Sequence, residues 1–495
     1  MWRSLFTVTT GEGQGGGLVS SRPLERRTEG SPVRPRPAGT CALGPTLLTG
    51  RCATVLFTVT TFFVGFLPVE ILFQRLGGRT VKLAVWAALL GLSFLVVMAH
   101  AWHTIRWDRL RRFVICGLLL FSIYSAFQAG FRPPPFSWQQ TLVAVILVPV
   151  FALMGLAAAR HKATVVAVLL FLSAVYVLSG AVGLYAGYIE FGQGRLPQTI
   201  FPADLYDHET AGYQGTSRYV GLFVLCGFGW GWFRWKSLLL RALLLASCGM
   251  ALTLLLILGG RSAAVALAVA LTFLMAMKLR PVVTRLKVRP GDAGWLACMG
   301  FLAAVAAFVG FSSESLLVNR FIWMLQEGGA AERGVLFSSA LGLWTKDGLT
   351  LFFGLGPQAF PMAAGFASEG MYPHNFILEA LCEYGLVGCA LLCAPLAAVA
   401  PAYAGSLRPA ARPSHAALAL GAIGLFLFVQ FMATGSLASL WPLVFLWTAL
   451  VPESGWPGRR PATPRGNVGF WGPRPTLQPD VGGHFSTQDT QAEPS

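Results

Sequence analysis

Residues 416–435 read AALALGAIGLFLFVQFMATG, twenty residues without a single charge. A helix rises 1.5 Å per residue, so about 20 apolar residues cross a bilayer core of roughly 30 Å. A helix that is apolar on every side has no face to offer water. The stretch therefore reads as a transmembrane helix.

Working outward, comparable runs recur at 53–73, 81–101, 113–131, 140–159, 163–187 and 219–233. They continue at 242–258, 262–277, 294–311, 377–404 and 437–451. Of the 495 residues, 55% are hydrophobic and only 12% are charged, too little charge to cover a soluble protein of this length. A transmembrane barrel would show short segments of alternating polarity, and none is present. The expected fold is all-α, a polytopic membrane protein of about 12 transmembrane helices.

Residues 1–50 and 453–495 are polar and rich in Gly and Pro, and they read as disordered cytoplasmic tails around a membrane domain at 51–452. The first tail shows no secretory signal pattern, and an over-extended start site would look the same. The net charge of +16 raises nucleic acid as a partner, but its distribution excludes it. Lys and Arg sit in short loops between apolar runs, as at Arg106, Arg109, Arg111 and Arg112, the pattern of loops retained on the cytoplasmic side. An N-terminus inside places Arg160–Lys162, Arg234–Arg241, Lys278–Arg289 and the loop with Arg408 and Arg412 inside as well. The first external loop, with Arg75, Arg79 and Lys82, runs against the rule. Two long segments, 188–218 and 312–376, then lie outside, and long loops are where function concentrates.

Topology prunes the candidates. Of seven histidines, only His208 and His374 fall outside. His374 opens a string that runs from the long loop into the next span, with Asn375, Glu379 and Glu383 four residues apart on one helical face. Carboxylates at the mouth of a span are costly unless paired or hydrated. Arg261, between Gly260 and Ser262, stands at the outer turn joining two spans. Arg320 and Arg333 follow in the long loop, then the turn Gly354-Leu355-Gly356. A guanidinium offers a planar fork of donors to phosphate oxygens, so several suit a diphosphate; singly, each fits ordinary headgroup contact equally well. Cys382, Cys389 and Cys393 share a helical spacing and read as small apolar packing residues. Asp204, Asp207, His208 and Glu209 point in different directions and make a poor metal site.

Gly260-Arg261-Ser262, Arg333, Gly354-Leu355-Gly356 with Phe360, and His374-Asn375 with Leu378, Glu379, Glu383, Gly385 and Gly388 together resemble the O-antigen ligase/polymerase superfamily. The resemblance covers about 215–450 in motifs and 53–451 in helix count. Gly215-Thr216 adds a weaker element. The chain departs from the pattern at Gly260, where Ser is usual, and at Ser217-Arg218, where Asn-Pro is usual.

The resemblance implies a GT-C-like membrane glycosyltransferase at the periplasmic face of a bacterial inner membrane. Its donor would be an undecaprenyl-diphosphate-linked glycan, and its acceptor lipid A-core or a growing glycan. It implies Arg261 and Arg333 on the diphosphate with Arg320 as a third, and His374 as the base. Asn375 and Glu379 would orient His374 or meet sugar hydroxyls, and Gly354 and Gly356 would let backbone approach the substrate. No cofactor or metal is implied, and Gln74–Thr80 of the first external loop carries no Asp or Glu. A ligase is expected, a polymerase of O-antigen or exopolysaccharide shares the motifs, and a transporter is the non-enzymatic rival.

Overall fold

A computed structural model describes residues 45–63, 78–101, 105, 107–135, 138–191, 213–258, 260–285, 290–311, 322, 331–366, 372–407 and 413–452. Both expected tails lie almost wholly outside these residues, as do His208, Asp204, Asp207, Glu209, Arg320, Arg408 and Arg412. All regular structure among the described residues is helical.

In chain order the main helices are α1 (Pro45–Phe63), α2 (Gly78–Val96), α3 (Arg109–Phe131), α4 (Val148–Ala158), α5 (Lys162–Phe191) and α6 (Tyr213–Cys226). They are followed by α7 (Leu238–Leu258), α8 (Arg261–Arg285), α9 (Pro290–Phe311), α10 (Ala331–Trp344), α11 (Gly348–Phe353) and α12 (Ala359–Ala363). The last three are α13 (Phe376–Ser406), α14 (His415–Thr434) and α15 (Trp441–Ala449). Single π-helical turns extend α2 through Ala101, precede α4 at Val143–Leu147 and follow α6 at Gly227–Gly231.

Six stretches among the described residues are long and apolar enough to cross a membrane: Arg109–Phe131, Val143–Ser179, Leu238–Leu256, Arg261–Arg280, Phe376–Ser406 and His415–Thr434. Large apolar side chains are exposed along them, among them Leu120, Ile123 and Phe127 on α3 and Leu238, Leu239 and Leu243 on α7. Such a surface has lipid as its solvent. The chain is a helical membrane protein. α14, whose charge-free stretch decided the fold class, is central: 67% of its apolar window is buried, against 28% for α7 and for α8.

Two expected spans take a particular form in the structure. Runs 140–159 and 163–187 are continuous through one 3-10 turn at Ala159–His161, giving a helical stretch of 37 residues from Val143 to Ser179. Drawn out straight, 37 residues would reach about 55 Å, far more than one crossing of a core of roughly 30 Å needs. The run 437–451 opens with a 3-10 turn at Leu437–Ser439 and continues as α15, whose nine residues carry Pro442 in the first turn. α15 packs inside the bundle, largely buried against α4.

Polar side chains fix several helix starts. Asp108 caps α3 by accepting from Arg111 N at 2.9 Å, and Ser414 caps α14 by accepting from Ala417 N at 3.2 Å. The buried Arg111 also pairs with Asp108 at 2.6 Å and donates to the Pro452 carbonyl at 2.9 Å, tying the start of α3 to the end of the described chain.

Candidate functional site

α13 begins the site and is broken within it. Gly385 has φ +65° and ψ −170°, so the helix stops and restarts there. A break leaves carbonyls without intrahelical donors, and in a membrane these need partners inside the protein. The segment after α11 supplies them: Leu355 N donates to the Cys382 carbonyl and Gly356 N to the Glu383 carbonyl, both at 2.9 Å. Gly354 (φ +76°) lies directly on the Glu383–Tyr384 backbone, and Gly385 lies on the carbonyl of Phe352. A side chain on either glycine would occupy the other strand's backbone. Tyr124 on α3 clamps the pair: its hydroxyl bridges the Phe353 and Tyr384 carbonyls at 3.1 and 3.0 Å, and Gln128 Nε2 reaches the Phe353 carbonyl at 2.7 Å. Arg132 Nη1 donates to the Gly354 carbonyl.

Gly354 N donates to the Thr350 carbonyl at 2.8 Å. With Gly356 N on Glu383, both amides of this glycine turn serve the fold, and neither points a free N–H at a ligand.

His374 and Asn375 lead directly into the N-terminal half of α13. Asn375 accepts from Ile377 N at 3.0 Å and Leu378 N at 3.1 Å, so its side chain is the N-cap. Glu379, one turn in and buried, accepts from Leu437 N at 2.9 Å and Ser436 Oγ at 3.3 Å. It holds the turn before α15 and is bonded to the α14–α15 connection instead of to His374. Glu383, also buried, accepts from the backbone N–H groups of Gln358 and Phe360. The carboxylates on this face thus satisfy backbone donors, which is what allows them inside an apolar helix.

His374 itself is strained and exposed to chemistry. Its φ is +53°, a left-handed conformation uncommon outside glycine. Strain of this kind clusters at working sites. The Tyr372 ring lies 4.2 Å away, and the buried Nδ1 has no hydrogen-bond partner among the described residues. Burial, and then the Arg333 charge, lower its pKa from 6.5 to about 4, so the imidazole is neutral at pH 7.

Arg333 reaches the site on α10. Leu336 and Ala340 follow it at helical spacing and are buried with Phe360 and Cys382 in a small separate core. That core fixes α10 and α12 to the N-terminal half of α13. Arg261, half-buried, is the first residue of α8. Its neighbour Gly260 packs on Ser217 of α6, where a Cβ would take the place of the Ser217 hydroxyl. The Ser usual in the resembled pattern does not fit at this contact.

No protein-family model matches the chain, and no curated protein is significantly similar to it. Below Arg261 lies an apolar cavity of about 210 Å³, lined by Val224, Leu255, Leu256, Ala264, Leu267 and Met299 among others. Leu256 and Ala264 lie five and three residues from Arg261 on its two flanking helices.

The sequence-predicted residues thus divide in two. His374 and Arg333 are brought together, and Arg261 stands at the α6–α8 contact. Asn375, Glu379, Gly354 and Gly356 build the frame that holds them. Arg218, which the sequence marks only as a departure from a motif, lies in α6 beside Ser217, the residue on which Gly260 packs. Its only prior signal was a cation in a position where a span begins.

Proposed function

We propose that the chain is a metal-independent membrane glycosyltransferase acting at the periplasmic face of a bacterial inner membrane, with both termini cytoplasmic and a GT-C-like bundle of about twelve spans. It moves a glycan from an undecaprenyl-diphosphate carrier to an acceptor hydroxyl, as an O-antigen ligase to lipid A-core. The observation that carries this reading is His374, whose bare, buried Nδ1 stands within the field of Arg333.

A neutral imidazole holds a lone pair for an acceptor hydroxyl proton. The acceptor oxygen attacks the sugar C1, the bond from C1 to the diphosphate oxygen breaks, and the electron pair leaves with the diphosphate. Arg261 and Arg333 stabilise that charge where it develops. Binding a diphosphate offsets the Arg333 charge, which lifts the His374 pKa toward the neutral range in which a base works best. The apolar cavity beside Arg261 suits the first isoprene units of a polyprenyl tail.

The purified protein in lipid nanodiscs, given undecaprenyl-diphosphate glycan and lipid A-core, is expected to join them without added divalent metal. Failure with every acceptor tried, or a strict need for metal, removes the proposal. A polymerase uses the same groups, and the surface-glycan ladder of a deletion strain separates the two: loss of all bands on lipid A-core marks a ligase, a single-repeat band a polymerase. Glu379 and Glu383, buried in a span, are the observation that favours a proton-coupled transporter. Their bonds to backbone N–H groups argue against it, and uptake of a labelled solute by proteoliposomes without glycan transfer reverses the order.

A further inference from the structure

Arg218 lies in the second turn of α6, half-buried. The face of its guanidinium rests on the Phe431 ring, 5.1 Å from the centroid, and its Nε donates to Gln430 Oε1 at 3.1 Å. Among the described residues no carboxylate pairs with it, and neither Nη nitrogen has a hydrogen-bond partner. The amide nitrogen of Gln430, a residue with no exposed surface, is also without a partner. Two kinds of donor therefore stand side by side, and among the described residues no acceptor faces them. The Gln430 amide is the buried one, and an unanswered buried donor is destabilising, while the guanidinium edge is open to an acceptor.

Its position says which acceptor. Tyr372 is among the groups around Arg218, and the Tyr372 ring lies 4.2 Å from that of His374. Ser217, the preceding residue, packs on Gly260, which is followed by Arg261 at the start of α8. Arg218 is thus linked through its neighbours both to His374 and to Arg261. With one face on Phe431 and Nε on Gln430, the outer edge of the guanidinium is the part left to bind, and that edge matches two oxygens of one phosphate.

We propose that Arg218 is a further diphosphate-binding residue of the donor site, beside Arg261 and Arg333, and that Gln430 is the residue that positions it. The inference rests on the donor being a lipid diphosphate, as proposed above. Where the resembled motif carries proline, this chain carries the extra cation.

The test is binding of undecaprenyl diphosphate, without glycan, to the full chain in nanodiscs, with undecaprenyl monophosphate as the second ligand. Arg218→Gln is expected to weaken the diphosphate about tenfold to a hundredfold, and Arg218→Lys by less, since charge returns without the fork. Gln430→Glu, which sets a carboxylate on the guanidinium, is expected to weaken binding as much as Arg218→Gln while thermal stability stays at the wild-type value. A merely structural role for Gln430 predicts unchanged binding in that variant. Unchanged affinity in Arg218→Gln beside weakened binding in Arg261→Gln overturns this inference alone. Unchanged affinity in Arg218→Gln, Arg261→Gln and Arg333→Gln together overturns the diphosphate reading itself. Should Arg218→Gln fail to fold, phenylglyoxal labelling of the wild-type chain decides. Protection of Arg218 by undecaprenyl diphosphate supports the inference, and equal labelling with and without it refutes it.

Discussion

The Tyr372 ring stands 4.2 Å from the His374 ring at a tilt of 57°, and its hydroxyl donates to the Thr434 carbonyl at 3.4 Å. The catalytic candidate is thereby tied to the end of α14, an apolar helix largely buried in the bundle. His374 owes its burial and its left-handed backbone to that tie on one side and the Asn375 cap on the other.

His374→Ala and, separately, Arg261→Ala are expected to abolish glycan transfer with normal membrane levels. A positioned base contributes about 10²–10⁴ in rate, so little activity should survive its loss. Full complementation of a deletion strain by either variant would take that residue out of the site.

The pH profile should be displaced. The free protein holds His374 near pKa 4 by burial first and Arg333 second, against an ordinary 6.5. Neutral imidazole is the active form, so kcat/KM should hold through pH 6.5 and fall only as pH drops toward that lower value. Arg333→Gln removes one of the two causes, and the acid limb should move upward. Stability follows the same sign. Between about 4 and 6.5 the unfolded chain binds more protons at this residue, so the contribution is complete above 6.5 and lost as pH falls through the window.

Gly354→Ala and Gly385→Ala each force a Cβ into opposing backbone at a positive φ. The conformation alone costs about 1–3 kcal/mol, before the collision is counted. Both variants should melt earlier in detergent or fail to accumulate. Gly342→Ala on α10, with nothing within 4 Å of the new methyl, should melt like the wild type.

Glu379→Ala strands the buried Leu437 N–H, which costs about 1–3 kcal/mol. Thermal stability should fall while the acid limb set by His374 keeps its position, because the carboxylate bonds to the turn before α15. A shifted limb would return Glu379 to the role of orienting the base.

The membrane class was plain in the chain because it rests on length and on missing charge, which survive any arrangement of the helices. The break at Gly385 was not, since no proline stands at or beside it and the run 377–404 reads as one continuous span. Only the opposing loop at 352–356 shows why the helix must stop there. The burial of α15 was not legible either: an apolar run looks the same whether lipid or protein surrounds it, and α15 is buried in protein. Asn375 before an apolar run carries an N-cap signal in its type and place, yet its nearness to His374 drew the reading toward substrate. Arg218 could not be told from a cation at a span boundary until Gln430 and Phe431, more than 200 residues away, were set beside it.

The bond pattern at Gly385 makes two levers of one rod. The first lever, from Phe376 to Tyr384, is bolted to the 352–360 segment and to α10, while the second runs on through the bundle to Ser406. Glu379 pins the first lever to the α14–α15 connection as well, so α10 and the start of α15 are joined through one short piece of helix.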